Sequence, residues 1–155
     1  VSFHISGLDG TQFNHLFALN DEALAQNNMT RVIVDADFGY PDRVSLEDAS
    51  IGDELILLNY AHQTAKTAFA ATGPIFVAKG VTAAALAIDE VSSSLAKRQL
   101  SFRAYDVHGM MVDAEVADGA VFADVVERLF AIRQIAYIHV HYASRGCFAA
   151  KVERA

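Results

Sequence analysis

The chain has 155 residues, 53% of them hydrophobic and 20% charged, which is enough to bury one sizeable core without a disulfide or structural metal and too apolar for a disordered segment. Nineteen acidic against twelve basic residues give a formal net charge of −7, which argues against a nucleic-acid binder, whose phosphate contacts need clustered Lys and Arg. A single cysteine, Cys147, excludes an internal disulfide framework and fits a reducing, cytoplasmic compartment; no apolar run has the length of a membrane span and no signal peptide is visible.

No segment reads as a linker or repeat, so one domain is expected over residues 1–155. Ser2–Gly7 alternates weakly, as an edge strand does. Phe13, Leu16 and Phe17 recur at helical spacing, and Asn20 before Asp21-Glu22 caps a second short helix that runs to about Gln26. Arg31–Asp35 is rich in β-branched residues and predicts a strand, followed by a Gly39–Asp42 turn. Leu55-Ile56-Leu57-Leu58 suits a strand buried on both faces, and Gly73-Pro74 opens another at Ile75-Phe76-Val77.

Two hairpins dominate the C-terminal half. Leu100–Asp106 and Met110–Val116 flank Val107-His108-Gly109, a three-residue loop with glycine at the left-handed position. Pairing Asp106 with Met110 sets Arg103 opposite Asp113, an attractive cross-strand pair, and collects Arg103, Tyr105, Asp113 and Glu115 on one polar face. A helix follows, capped by Asp118, with apolar rows from Val121 to Phe130. Ala136–Ala143 and Cys147–Glu153 then flank Ser144-Arg145-Gly146. In the corresponding register Ile138, Val140, Tyr142 and Phe148 share the apolar face, while Tyr137, His139, His141, Cys147 and Lys151 share the other. The pattern predicts an α+β domain: a mainly antiparallel curved sheet built from β-hairpins, with two or three helices packed on one face.

His139 and His141 are the sharpest chemical feature, because alternate residues of a strand project to one side. Paired imidazoles can hold zinc, iron or copper if a third ligand arrives; Cys147, Glu115, His62 and His108 are the candidates, and Lys151 opposite His139 opposes a bound cation. Two polar residues on a wet sheet face is the blander reading, and it is preferred over metal. Cys147 beside His141 has the composition of a nucleophile with its base, and Arg145 with the Gly146 backbone suits an anion or oxyanion. A small buried hydrophobe is the commoner role of a lone cysteine. Arg43 can clamp a carboxylate or phosphate, or equally form a surface pair with Asp42 or Glu47. Phosphate-loop and dinucleotide signatures are absent.

Several motifs together resemble one family. They are Gly39-Tyr40-Pro41-Asp42-Arg43 running on to Ala49, Leu57–Tyr60, Gly73–Val77, Arg103–Asp106, Met110–Glu115, and Tyr137-Ile138-His139-Val140-His141 with Gly146–Ala150. In this order they are similar to the domain of unknown function 1203 family of small bacterial proteins. In that family's pattern a cysteine often stands where this chain has Asp42, so a two-cysteine mechanism with Cys147 is not available here. The resemblance implies a soluble single-domain protein and supplies no reaction or cofactor.

The leading expectation is therefore a site for a small polar or anionic metabolite on the polar sheet face. His139, His141, Cys147 and Arg145 form one wall, Tyr105, Arg103 and Glu115 lie nearby, and Arg43 and His62 reach in from loops. A competing reading makes the same face a homodimer or partner interface; a third is a metal-dependent enzyme using His139 and His141.

Overall fold

The computed structural model describes residues 1–155. Strand β1 (Phe3–Ser6) leads into two short 3-10 turns and α1 (Asp21–Gln26), whose first free N–H groups are met by the Asn20 side chain accepting from the Ala23 N–H. Next come β2 (Thr30–Ile33), β3 (Glu54–Gln63), β4 (Ala71–Ala78) and α2 (Ser93–Ala96), then β5 (Gln99–Tyr105), β6 (Met111–Asp118) and α3 (Phe122–Phe130). Strands β7 (Tyr137–Tyr142) and β8 (Phe148–Arg154) complete the chain. No helix is long and apolar enough to cross a membrane.

The α+β class stands, but the single curved sheet is two antiparallel sheets: a five-stranded one in the order β1-β8-β7-β5-β6 and a three-stranded one in the order β2-β3-β4. The C-terminal hairpins are neighbours in the larger sheet, joined by β5 against β7 with Arg103 opposite His139. Leu100, Phe102, Ile138, Val140 and Val152 turn to the same side and bury against Phe122, Val125, Val126 and Leu129 of α3, with Leu95 of α2. Alternation at period two and the helical apolar stripe thus meet in one core. The smaller sheet has its own core, where Ile56, Leu58, Ile75 and Val77 pack with Leu16, Leu24 and, from the larger sheet, Phe148.

Both hairpins carry a β-bulge that the loop chemistry does not announce. The Val107-His108-Gly109 loop closes as expected, with Asp106 N–H donating to the Met110 carbonyl and Gly109 at φ +82°. One step further on, the register slips between Ala104 and Tyr105, so Arg103 faces Ala114 and Phe102 faces Glu115. The predicted Arg103–Asp113 pair does not form. The extra residue lets Val112 and Ala117 pack on the main core and sends Glu115 to Arg128 of α3. In the second hairpin His139 does face Lys151, but the register then slips and His141 faces Phe148. A bulge exchanges the two faces of every residue on its far side. Phe148 therefore turns toward the histidines and Cys147 toward the main core, the reverse of the expected order.

Candidate metal centre

Period-two spacing on β7 brings His139 and His141 out on the face that looks toward the smaller sheet. A third imidazole comes from that sheet. His62 is the unpaired residue of a bulge in β3, between Ala61, which faces Thr72, and Gln63, which faces Ala71. The bulge re-aims its ring out of the ladder. One ring nitrogen from each of His62, His139 and His141 lies within 4.8 Å of the other two. Phe148 walls the cluster, stacked on His62 at 5.5 Å and edge-on to His139 and His141.

The electrostatics leave these rings neutral. Burial pushes His139 down to about 3; the like charge that His141 and His62 would carry if protonated, and the charges of Lys151 and Arg103, work in the same direction. Burial also takes His141 down to about 4; its bond to the Gly146 carbonyl works upward and is outweighed. His62 is lowered by burial and by the Arg103 guanidinium. Neutral imidazole is the form that ligates metals.

The hydrogen-bond pattern is incomplete in a telling way. His141 Nδ1 lies 2.9 Å from the Gly146 carbonyl, so Nδ1 carries the proton and Nε2 keeps its lone pair. That Nε2, together with Nδ1 of His62 and Nδ1 of His139, is buried with no partner. Each such orphan costs about 1–3 kcal/mol if nothing meets it. Three imidazoles grouped in this way could hold a metal ion, and all-nitrogen donors are those that first-row transition ions take. The oxygen-rich shells of calcium and magnesium do not resemble this donor set. Nitrogens held about 2.0–2.1 Å from a tetrahedral ion stand roughly 3.3 Å apart, so modest ring rotations close the cluster. The Nδ1–H to carbonyl bond of His141 is the outer contact that orients such ligands.

The cluster opens to solvent. His62 and His139 line a cavity of about 420 Å³, with Tyr137, Gln63 and Lys151 on its walls. Gln63 Nε2 donates to the Tyr137 hydroxyl at 3.0 Å. The Lys151 ammonium lies 5.1 Å over the Tyr137 ring and 3.5 Å from Glu153, and its charge reaches His139. His141 is buried at the back of the cluster, 1% exposed.

Of the residues singled out in the sequence, the structure brings His62, His139, His141, Tyr105 and Arg103 to one face. Tyr105 packs edge-on to His139 at 5.2 Å, and Arg103 binds only Ser101, through Nε at 3.3 Å. Others go elsewhere. Glu115 pairs with Arg128 on the helix-covered side. Cys147 packs on the main core and makes no hydrogen bond to His141; its sulfur instead accepts from Arg43 Nη2 at 3.1 Å. Arg43 forms neither a surface pair nor part of the histidine cavity. It is buried, with Nε donating to the Phe148 carbonyl at 2.7 Å and Nη1 to the Pro41 carbonyl at 2.5 Å. Arg145 is exposed on the far side of the turn, in a second cavity with Cys147. His139, His141 and Tyr105 are buried within the single chain.

Fold and cluster together define a class: an α+β protein of two antiparallel sheets with a histidine triad, two of its rings buried and the third half-buried, where the sheets meet. The chain belongs to the family described as Protein of unknown function (DUF1203), whose match runs over residues 39–154. No curated protein and no solved structure matches it. All three histidines fall inside the matched range, while Ser6, Gly7 and Leu8 of the cavity wall precede it.

Proposed function

We propose that the protein is a mononuclear transition-metal protein in which His62, His139 and His141 hold a zinc-type divalent ion at the floor of the cavity. The observation that carries this reading is a cluster of three imidazoles in which one ring nitrogen of each lies within 4.8 Å of the others and each ring has a buried nitrogen without a partner. Three protein ligands and an opening to solvent is the pattern of catalytic rather than structural zinc sites, which close the shell with a fourth side chain. Cys147 does not fill that fourth position.

The ligand set also selects what completes the shell. Three neutral imidazoles do nothing to offset the charge of a divalent ion, and Arg103 and Lys151 add positive potential around the rings. No carboxylate lines the cavity. The open position therefore favours water or a small anionic or polar substrate, on which the ion acts as a Lewis acid. The Gln63–Tyr137 pair and Lys151 on the wall are the groups placed to orient that substrate.

The experiment is metal reconstitution. Untagged protein is stripped with a chelator, titrated with cobalt(II) and zinc(II), and its metal content measured. One ion per chain is expected, with the intense visible bands of four-coordinate cobalt, and His62→Ala and His139→Ala are expected to abolish both. Substoichiometric metal, or uptake unchanged in both variants, overturns the reading.

A further inference from the structure

Four of the twelve Lys and Arg residues, in a chain of net charge −7, line one cavity of about 650 Å³ on the far side of the β7–β8 turn: Arg43, Lys97, Arg98 and Arg145. Two of them are structural. Arg98 Nη2 pairs with Asp48 at 2.6 Å, and Arg43 holds the Pro41 and Phe148 carbonyls and the Cys147 sulfur. A guanidinium has five N–H donors, so the buried Arg43 keeps two that these contacts leave free. Lys97 and Arg145 are exposed, and neither side chain has an ion pair or hydrogen bond. Asp35 is the single acid on the wall, and its carboxylate accepts from the Tyr40 hydroxyl at 2.7 Å. With Asp48 counted against Arg98, two positive charges stay uncompensated.

The same cavity has an aromatic side. Phe38 on its rim is 57% exposed, an unusual placement for a phenylalanine, and has the Arg98 guanidinium 4.2 Å from its ring centroid. Tyr142 lies beneath both Arg43 and Arg98, at 5.0 and 5.3 Å. Planar guanidinium groups held against rings form a surface on which a further flat group can stack.

We propose that this second cavity is a binding site for a small aromatic anion. Its charged group meets Lys97, Arg145 and the free N–H groups of Arg43, and its ring lies against Phe38. The site is separate from the histidine cluster and does not depend on a metal there. Cys147, the chain's one cysteine, lines the same cavity and serves as a built-in reporter of occupancy.

Calorimetric titration with benzoate, acetate and benzyl alcohol separates the elements of the proposal. Benzoate is expected to bind about tenfold or more tightly than benzyl alcohol, which keeps the ring and loses the charge, and than acetate, which keeps the charge and loses the ring. Benzoate is expected to slow alkylation of Cys147 by iodoacetamide, saturably and at the concentration at which it binds. The Lys97→Gln/Arg145→Gln double variant changes only exposed side chains, retains the fold, and is expected to lose binding and protection together. No benzoate binding at millimolar concentration, equal binding of either comparison compound, or undiminished binding by the double variant overturns the proposal.

Discussion

The histidine cavity and the cation cavity meet along one stretch of chain, Ser144–Phe148, yet they handle charge in opposite ways. Phe148 walls the first, while Ser144, Arg145 and Cys147 line the second. In the first, burial strips the rings of their protons and leaves lone pairs, which suits a cation. In the second, the side chains are guanidinium and ammonium groups, which suit an anion. The difference lies in the residue type rather than the depth. Arg43 is as buried as His141, at 2% against 1% exposure, but a guanidinium cannot shed its proton and so must be held by acceptors instead.

The sharpest way to break this comparison is to remove Arg43. Arg43→Met leaves two carbonyls without their donor and a buried site poorly filled, so a loss of about 3–5 kcal/mol is expected in urea unfolding. Arg145→Gln, on the exposed wall of the same cavity, is expected to stay within about 0.5 kcal/mol of the parent. Equal effects would mean that the split between framework cation and free cation is mistaken.

Acid sharpens the other half. In metal-free protein His139 and His141 are neutral when folded, at about 3 and 4, and return to the ordinary value of 6.5 when unfolded. Their contribution is full above pH 6.5 and is lost as pH falls from there toward 4 and 3, because across that window only the unfolded chain takes up the protons. Once the unfolded rings are protonated, the two together contribute a slope approaching ~2.7 kcal/mol per pH unit. Urea unfolding between pH 6.5 and 5, above most carboxylate titration, reads that slope. A His139→Gln/His141→Gln variant is expected to flatten it, and a flat parent curve would show that the rings are not held neutral.

The sequence patterns carried the strands of the C-terminal half and the pairing of His139 with His141, because alternation on β7 is a local property. They also carried the three-residue Val107–Gly109 loop and the left-handed φ of Gly109 and Gly146, but the second loop has four residues, Ala143–Gly146, because Tyr142 N–H donates to the Cys147 carbonyl and Gly146 N–H to the Tyr142 carbonyl. What escaped was the position of each bulge. A bulge adds one residue whose cost and benefit are settled by distant groups: the helix-borne Arg128 that receives Glu115, and the buried Arg43 that donates to the Phe148 carbonyl. Neither contact leaves a mark on the strand itself. One slip moved Cys147 away from the histidines, and a third bulge, in β3, turned His62 toward them. Two members of the triad were legible as a pair; His62 was one of four candidates for the third place and was expected on a loop, whereas a strand irregularity that periodicity cannot encode brings it in. Helix α2 was likewise unannounced, being a single turn capped by Ser92.

The mildest test concerns Glu115, the acid that a bulge carried off the histidine face. Its contact with Arg128 is partly exposed on both sides, with 57% and 35% of the side-chain surface accessible, so solvent screening limits what it contributes. Glu115→Gln is expected to cost less than about 1 kcal/mol, and the loss should shrink further at high salt. Metal affinity should not change, because the carboxylate is on the edge strand β6, on the face that meets Arg128 of α3. A Glu115→Gln protein with normal thermal stability but weakened cobalt binding would place this acid near the cluster after all. It would then restore the unbulged register, in which Glu115 and Arg103 share a face, and with it a negative charge able to offset the ion.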